Sequence, residues 1–307
     1  MTSGLLLIDK AQGWTSHDVV ARTRRLAGTR KVGHAGTLDP MATGLLVLGV
    51  NSSTRLLTYV VGLDKEYLAT IRLGQSTTTD DAEGEELTHA SAGQVAAIAP
   101  AAVASGIEDL TGDISQQPSA VSAIKIDGQR AYARVRAGED VQLPSRPVTV
   151  SVFELLASTA GDGFLDLEVR VECASGTYIR ALARDLGVAL GVGGHLTSLR
   201  RTRIGPFRIE NAATLERVDV DANLISPTDA ATRLLPRLDL SAEQAIDLGH
   251  GKRITVEKDV TRIGPVAAIA PDGTLIGLVE YRGNQAKSLL NFPPDEPAAA
   301  TEPKQAS

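Results

Sequence analysis

The clearest pattern along the chain is the alternation of apolar and polar residues between Phe164 and Cys173. Successive side chains of a β-strand point to opposite faces, so this pattern predicts a strand with one buried and one wet face. Shorter apolar segments predict further strands at residues 4–8, 44–50, 66–73 and 195–204.

Three segments carry the spacing or composition of helices. Thr15 and Ser16 offer an N-cap to a helix that runs to about Leu26, and Gly28 can end it. Residues 91–110 are rich in alanine and predict a helix that Pro100 interrupts or restarts. A third helix follows the GTYIR sequence, because the buried-face spacing is kept by Ile179, Leu182, Ala183 and Leu186.

The segments between these elements differ in character. Residues 31–43 combine glycines, a proline and small polar residues, which predicts a loop wedged between a helix and an apolar strand. Residues 116–147 are bracketed by prolines and rich in arginine, which predicts a mobile basic insertion. A compact unit follows residue 236 and contains two strands joined by a Pro-Asp-Gly turn, and the tail 293–307 is predicted to be disordered.

Composition places the chain among ordinary globular proteins. Of its 307 residues, 43% are hydrophobic and 22% are charged, and no apolar run has the length that a membrane span needs. Cys173 is the only cysteine, so the chain forms no internal disulfide. These features predict a cytoplasmic protein that is not bound to a membrane.

The net charge of −6 argues at first against a nucleic-acid partner, but the charges are unevenly distributed. Acids concentrate in residues 80–86, whereas the segment from Arg180 to Arg208 contains six arginines and only one acid, Asp185. A local field rather than the total charge governs phosphate binding, so RNA remains a possible partner, and solvated helix faces are the alternative. A second basic stripe consists of Arg22, Arg24, Arg25, Arg30 and Lys31.

Several common site types are absent from the sequence. There is no P-loop, no G-x-G-x-x-G after a strand, no H-E-x-x-H and no G-x-S-x-G, and the five histidines are too scattered to suggest a metal site. Asp39, in the sequence HAGTLDPMATG, is the best candidate for chemistry. An aspartate before proline often only begins a turn, but the glycines around it would let the backbone approach a planar ligand closely.

Five segments, in this order, resemble one enzyme family: GLLLIDKAQGWTSHDVV, GHAGTLDPMATGLLVLG, KEYLATIRLG, QQPSAVSAIKIDGQRAY and SGTYIRALARDLG. They are similar to the bacterial tRNA pseudouridine-55 synthases of the TruB type. The resemblance covers about residues 4–208. It implies an α+β fold, with a catalytic domain (1–230) built on a mixed, largely antiparallel sheet with flanking helices. A small β-rich, PUA-like RNA-binding domain (236–292) would follow.

The resemblance also implies roles for single residues. Asp39 would be the nucleophile, Arg180 the cation that keeps it ionised, and Tyr67 the ring that stacks on uracil. Each has a plainer interpretation, since Arg180 could be a surface arginine at a helix start and Tyr67 a core tyrosine. Substrate contacts would come from His34, which would fill the space of an extruded base, from Tyr178 and Leu199 in the pocket wall, from Lys10 under the active-site loop, and from Arg200, Arg201 and Arg203 on phosphates.

The implied activity is isomerisation of uridine to pseudouridine in the T-arm loop of tRNA. It requires no cofactor and no metal, and we expect a monomer that acts without guide RNA. Two other hypotheses remain: an RNA-binding or RNA-folding module with vestigial catalysis, and a relative that depends on a guide RNA and partner proteins. The basic insertion at 116–147 favours the stand-alone enzyme.

Overall fold

A computed structural model describes residues 2–119, 143–256 and 264–293, together with the backbone of residues 125–126 and 129–130. The helices are α1 (Ser16–Leu26), α2 (Leu57–Val61), α3 (Ala92–Ala96), α4 (Pro100–Asp109), α5 (Ile179–Ala189), α6 (Val220–Asn223), α7 (Pro227–Leu234) and α8 (Ala242–Gly249). The strands are β1 (Gly4–Lys10), β2 (Val32–His34), β3 (Thr43–Val50), β4 (Lys65–Leu73), β5 (Gln75–Thr77), β6 (Glu86–His89), β7 (Gly112–Gln116), β8 (Lys125–Ile126), β9 (Gln129–Arg130), β10 (Arg146–Gly161), β11 (Phe164–Cys173), β12 (Gly194–Ile204), β13 (Phe207–Arg208), β14 (Ala213–Thr214), β15 (Arg237–Asp239), β16 (Ile254–Thr255), β17 (Val266–Ile269), β18 (Leu275–Arg282) and β19 (Gln285–Asn291).

A large mixed sheet forms the frame of the molecule. Its strand order is β14-β1-β3-β12-β4-β11-β10-β7, with β13 paired to β12 and β2 to β3. Only the β1–β14 and β12–β3 pairings are parallel among the described strands of this sheet. The predicted α+β fold with a mixed, largely antiparallel sheet is therefore confirmed.

The alternating pattern of β11 produces the expected two faces. Leu167, Val169, Val171 and Cys173 are buried, and they pack in one apolar cluster with α5 and α4. Helices α4 and α5 cover this buried face, while the other face of β11 carries the ion pairs of Arg170 with Glu66 and Glu154. This packing fixes β4 and α5, the two elements that contribute most to the site.

Helix α1 begins where the sequence predicts. The Thr15 hydroxyl accepts a hydrogen bond from the Asp18 backbone N–H, and the Asp18 carboxylate accepts one from the Thr15 N–H in return, which is a capping box. Pro100 lies in the first turn of α4 after the short helix α3, so the predicted interruption of segment 91–110 is also confirmed.

One interpretation of a loop segment needs correction. The segment 31–43 is not wholly a loop, because residues 32–34 form β2 and pair with β3. The acidic residues 80–86 belong to a hairpin in which β5 pairs with β6, an element that was not predicted. The predicted basic insertion lies mostly outside the described residues, as does the predicted disordered tail from residue 294 onward.

The C-terminal segment forms a second sheet with the strand order β15-β17-β18-β19-β16. The predicted Pro-Asp-Gly turn joins β17 to β18, with Gly273 at a φ of 86°. Ala267, Ile269 and Leu278 of this sheet share one buried apolar cluster with Leu5 and Leu45 of the large sheet. The limits proposed for a PUA-like domain stay a prediction. No helix within the described segments has the length and apolar character needed to cross a membrane.

Gly44 allows β3 and β12 to approach closely just after residues 35–42, the loop that carries the predicted nucleophile and is called the nucleophile loop. Its φ is +100°, and a Cβ at this position would lie 2.3 Å from the Arg201 carbonyl oxygen. We expect Gly44→Ala to lower the free energy of unfolding by at least about 2 kcal/mol, since backbone strain and overpacking add. Gly13→Ala is the matched control, because its φ is +82° but nothing lies within 4 Å of the added Cβ.

Denaturant unfolding of the two variants measures this difference. Equal losses for Gly44→Ala and Gly13→Ala would show that only backbone strain matters at residue 44, and that the contact between the strands is not tight.

Candidate active site

The loop between β2 and β3 holds Asp39 in place from several sides. The Leu38 N–H donates to the Ser16 hydroxyl (2.9 Å), and the Gly13 N–H donates to the Pro40 carbonyl (2.9 Å). The Asp39 carbonyl accepts from the Ala42 N–H at 3.1 Å. The start of α1 and the segment before it therefore brace the loop, while the Asp39 side chain stays 41% exposed.

Arg180 reaches Asp39 from the first turn of α5. Its Nη2 lies 3.1 Å from Asp39 Oδ2, and the Arg180 side chain is only 5% exposed. Its Nη1 donates to the Thr79 carbonyl at 2.8 Å and lies 3.5 Å from Asp81 Oδ2. The guanidinium thus bridges a half-exposed carboxylate in the nucleophile loop and a buried one in the β5–β6 hairpin.

The acidic residues 80–86 contribute to this site, a contact that no sequence pattern predicted. Asp81 meets Arg180, and Asp80 accepts from the Ser119 hydroxyl (2.6 Å) and from Arg184 Nη1 (3.3 Å). Burial raises the pKa of Asp80 above its usual range, against the opposing effect of that hydrogen bond and of Arg184. No sequence spacing links residues 80 and 81 to α5, so only the fold reveals the contact.

Tyr67 lies on β4, directly across from Arg201 on β12. The Tyr67 side chain is buried, and this burial raises the pKa of the phenol, opposed by the charge of Arg201 and by a hydrogen bond to it. The phenol is therefore neutral and keeps its proton at physiological pH. A neutral, fixed ring of this kind can stack against a planar base.

The expectation that Arg201 contacts phosphates is wrong. Its side chain is 1% exposed, its Nε donates to the Leu45 carbonyl (2.8 Å) and its Nη2 to the Gly36 carbonyl (3.1 Å). Arg201 is therefore a buried cation behind the nucleophile loop, on the same inward face of β12 as Leu199. Its neighbours on β12 are partly exposed but paired: Arg200 with Asp9, and Arg203 with Asp64 and Glu172. Phosphate contacts from these two would compete with existing ion pairs.

These groups surround a cavity of about 280 Å³. Leu199, at 7% exposure, contributes to its wall, as does Tyr178, the N-cap residue of α5. Gln116 fixes Tyr178 by accepting from its N–H (2.8 Å) and donating to its carbonyl (3.0 Å), while the Arg146 guanidinium lies 4.9 Å from the ring centre. The cavity is lined by Gly36, Thr37, Leu38, Asp39, Val61, Lys65, Tyr67, Ser175, Gly176, Thr177, Tyr178, Ile179, Arg180, Leu199 and Arg201.

His34 ends β2 and is not among the residues that line this cavity. Its ring lies 5.6 Å from that of His17 in an edge-to-face arrangement. Burial lowers the pKa of His34, and the nearby charges of His17 and Arg201 lower it further. A neutral imidazole beside the nucleophile loop suits stacking on RNA, and this role stays a prediction.

Lys10 lies beneath the nucleophile loop and is fully buried. Its Nζ donates to the carbonyls of Trp14 (2.7 Å), Ala11 (3.0 Å) and Pro40 (3.4 Å). Burial lowers the pKa of Lys10 to about 8, against the opposing charges of Asp39 and Glu83. All three N–H groups of the ammonium are used, so Lys10 supports the loop and has no donor left for a substrate.

We expect Lys10→Met to slow catalysis roughly 10- to 100-fold, because misplacing a reacting group by about 1 Å has an effect of this size. RNA affinity should change less than twofold, since the ammonium faces the protein. Single-turnover rates and filter binding measure the two quantities. An equal loss of rate and affinity would indicate a direct substrate contact instead.

The amino-acid sequence and fold match known proteins over nearly the whole chain. Residues 24–179 match the model for "TruB family pseudouridylate synthase (N terminal domain)". The protein named tRNA pseudouridine synthase B of Leifsonia xyli subsp. xyli is 64% identical over 96% of this chain and 98% of its own length. The chain belongs to the TruB family. It is therefore a pseudouridine synthase, an enzyme of the isomerase class.

Other matches agree with membership of the TruB family. Residues 180–246 match the tRNA pseudouridylate synthase B C-terminal domain, and residues 235–293 match the model for "tRNA Pseudouridine synthase II, C terminal". The tRNA pseudouridine synthase B of Arthrobacter sp. (strain FB24) is 55% identical over 96% of this chain and 98% of its own length. The crystal structure of a Cbf5-Nop10-Gar1 complex aligns with a TM-score of 0.70 and 25% identity, over 95% of this chain and 85% of that one.

In this TruB-family chain the basic stripe that begins in α1 is on the surface. Arg22, Arg25 and Arg30 are exposed, and the described residues provide no carboxylate within ion-pair distance of them. Arg24 is exposed as well, but its Nη2 donates to the Val32 carbonyl at 3.1 Å. No group of three or more potential metal ligands occurs among the described histidine, cysteine, aspartate and glutamate residues.

Proposed function

We propose that this chain isomerises uridine 55 in the T-arm loop of tRNA to pseudouridine, with Asp39 as the nucleophile and without a guide RNA. The observation that carries the proposal is the 3.1 Å contact between Arg180 and Asp39 at a cavity that also contains Tyr67. The choice of tRNA is supported by the relatives named tRNA pseudouridine synthase B, which align over nearly their whole length.

The chemistry follows from what the reaction must do. The N1–C1′ bond breaks, the detached uracil turns, and a C5–C1′ bond forms while the C5 proton leaves and N1 gains a proton. Substrate and product contain the same atoms, so no oxidant, reductant or phosphate donor enters the reaction. An ionised carboxylate serves as the nucleophile by attacking either C1′ of the ribose or C6 of the uracil.

Each group near the cavity would have its own part in this reaction. Arg180 would orient the Asp39 carboxylate through a charge-assisted contact. The fixed neutral ring of Tyr67 can hold the uracil by stacking, with its hydroxyl close to C5. Asp39 is half-exposed in the free protein, so the bound RNA must supply the cover that excludes water during the reaction.

The target nucleotide is stacked inside a folded RNA loop and must be extruded, at a cost of a few kcal/mol. His34, next to the nucleophile loop, would fill the vacated space. The exposed arginines of the α1 stripe would contact phosphates of the RNA arm. These contacts would let the protein recognise the shape of the RNA loop and the base that is turned out of it.

An RNA-guided enzyme is the second candidate, because the aligned Cbf5-Nop10-Gar1 structure is a multi-protein complex. Incubating the purified chain with an unmodified tRNA transcript separates the possibilities. Pseudouridine at position 55 without guide or partner supports the proposal. Tight binding without product would favour an RNA-folding module, and neither product nor binding would favour dependence on a guide. Light scattering of the same sample tests the predicted monomer, and cell fractionation tests the predicted cytoplasmic location.

A further inference from the structure

Lys65 is a buried lysine in the cavity wall that the proposed mechanism does not use. It is the first residue of β4 and lies two residues before Tyr67, so both side chains point to the same face of the sheet. Its exposure is 6%, and it lines the same cavity as Asp39, Tyr67 and Arg180. A long cationic side chain at such a position is costly unless its charge is used.

Two hydrogen bonds use two of the three N–H groups of the Lys65 ammonium. Its Nζ donates to the carbonyls of Val61, at 2.8 Å, and of Leu63, both at or just after the end of α2. An ammonium carries three N–H groups, and the described residues provide no third acceptor within hydrogen-bond distance. Lys10 differs in this respect, because three carbonyls accept from it.

Among the residues that the structure describes, no carboxylate forms an ion pair with Lys65. Asp64 is the acid whose charge acts on it, but Asp64 Oδ2 lies 2.5 Å from Arg203 Nη1. The other ionisable groups that face Lys65 are Cys173 on β11 and Arg201 on β12. Burial lowers the pKa of Lys65 to about 8, with a smaller contribution from the charge of Arg201. A neutral side chain would hold the turn after α2 at less cost, so the fold alone does not explain a cation here.

We propose that Lys65 donates its third N–H to a carbonyl oxygen of the bound uracil and stabilises the negative charge that the base acquires during the reaction. The inference rests on the proposed function. Lys65 precedes Tyr67 by two residues on β4, so their Cα atoms are about 6.5 Å apart along the strand. The ammonium would then lie beside a uracil stacked on Tyr67, at the edge of the base. The edges of uracil carry its two carbonyl oxygens, O2 and O4.

Both possible routes of the reaction place transient negative charge on those oxygens. When Asp39 attacks C1′, the electron pair of the N1–C1′ bond moves to the uracil and spreads to O2 and O4. When Asp39 attacks C6 instead, the C5–C6 π electrons move toward O4. In both routes the charge returns as the C5–C1′ bond forms and the carboxylate leaves. A fixed donor in a desolvated site stabilises such transient charge more than it stabilises the neutral ground state.

The first test replaces Lys65 by methionine, which keeps the length of the side chain and removes its charge. We expect the single-turnover rate of pseudouridine formation to fall about 100-fold, the loss typical of removing one such donor, with RNA affinity within about twofold. Lys65→Arg, which keeps the charge, should recover part of the rate. A Lys65→Met rate within threefold of wild type, or a rate that falls only in proportion to RNA affinity, would overturn the inference.

The pH profile separates charge from packing. The second-order rate constant at low RNA concentration reports the ionisation of the free enzyme. For the wild type it should fall as the pH rises above about 8, because Lys65 loses its proton there. The pKa of Lys10 is also about 8, so the comparison is made in enzyme that already carries Lys10→Met. There the alkaline decrease should remain with Lys65 and be absent with Lys65→Met. Its persistence in the double variant would assign it to another group and contradict the inference.

The second test leaves the protein unchanged, so it holds even if Lys65→Met fails to fold. Wild-type enzyme is given T-arm RNA with 2-thiouridine or 4-thiouridine at the target position, since sulfur is a weaker acceptor than oxygen. One substitution should slow the wild type at least tenfold. Where Lys65→Met folds, the same substitution should cost it less than threefold. If neither substitution slows the wild type, Lys65 does not contact the base. Absence of product from wild type with the unsubstituted RNA would instead mean that the proposed function is wrong.

Discussion

Replacing Asp39 by asparagine is expected to reduce pseudouridine formation by at least about 10⁴-fold, because removing a covalent nucleophile has effects of this order. Asparagine keeps the size of the side chain and can still accept a hydrogen bond from Arg180, but its neutral amide is not a competent nucleophile. Nucleoside analysis of a tRNA transcript after prolonged incubation measures the product.

RNA binding should survive this change. The Asp39 side chain is half-exposed at the cavity, and its loop is held through Ser16, Gly13 and Lys10 rather than through the carboxylate. We therefore expect the dissociation constant of Asp39→Asn for tRNA to stay within about threefold of wild type, a difference worth less than 1 kcal/mol. A loss of binding parallel to the loss of product would mean that Asp39 grips the RNA and does not attack it.

Arg180→Met is the second change with a large expected effect, and it should damage both activity and stability. Asp81 and Arg180 are each 5% exposed, so the substitution leaves a buried carboxylate without its cation. Breaking a buried pair in this way costs roughly 3–5 kcal/mol of unfolding free energy. Activity should fall roughly 10³-fold, because Asp39 loses the cation that orients it.

A double variant separates the two effects. Asp81→Asn removes the charge but keeps Oδ1, which accepts from the Thr79 hydroxyl and the Glu83 N–H. Arg180→Met combined with Asp81→Asn should therefore regain about half of the lost stability but none of the activity. Recovery of both together would show that Arg180 acts only by maintaining the fold.

Arg184→Met is the matched control on the same helix. Arg184 lies one turn further along α5 and pairs with Asp80 and Asp185, so it does not reach the nucleophile. Its loss should lower stability with a much smaller effect on turnover. Thermal unfolding and single-turnover kinetics on the same preparations provide both quantities.

The sequence predicted the frame of the fold well because its signals are local. The alternation in β11, the cap at Thr15 and the Pro-Asp-Gly turn each depend on neighbouring residues, and each has the predicted structure. The hairpin at residues 75–89 was missed, since its strands are short and its polar residues resemble a solvated loop.

The site was predictable only in part. Motif resemblance selected Asp39, Tyr67 and Arg180, which the structure brings to one cavity from three elements. It did not distinguish the buried Arg201 from the partly exposed Arg200 and Arg203, because orientation on β12 depends on register and on a bulge between residues 201 and 203. Nor could it pair Asp81 with Arg180, because residues so far apart in the sequence show no spacing pattern that predicts their contact.

The most direct test of the proposed mechanism is the release of tritium from tRNA labelled at C5 of its uridines, compared between wild type and Asp39→Asn. Formation of the C5–C1′ bond expels the C5 hydrogen, so release counts completed isomerisations. We predict that wild type, alone and without guide RNA, releases one equivalent per tRNA, and none when position 55 is cytidine. Asp39→Asn should release none above the blank. Release by Asp39→Asn at a rate near that of wild type would contradict the assignment of residue 39 as the nucleophile.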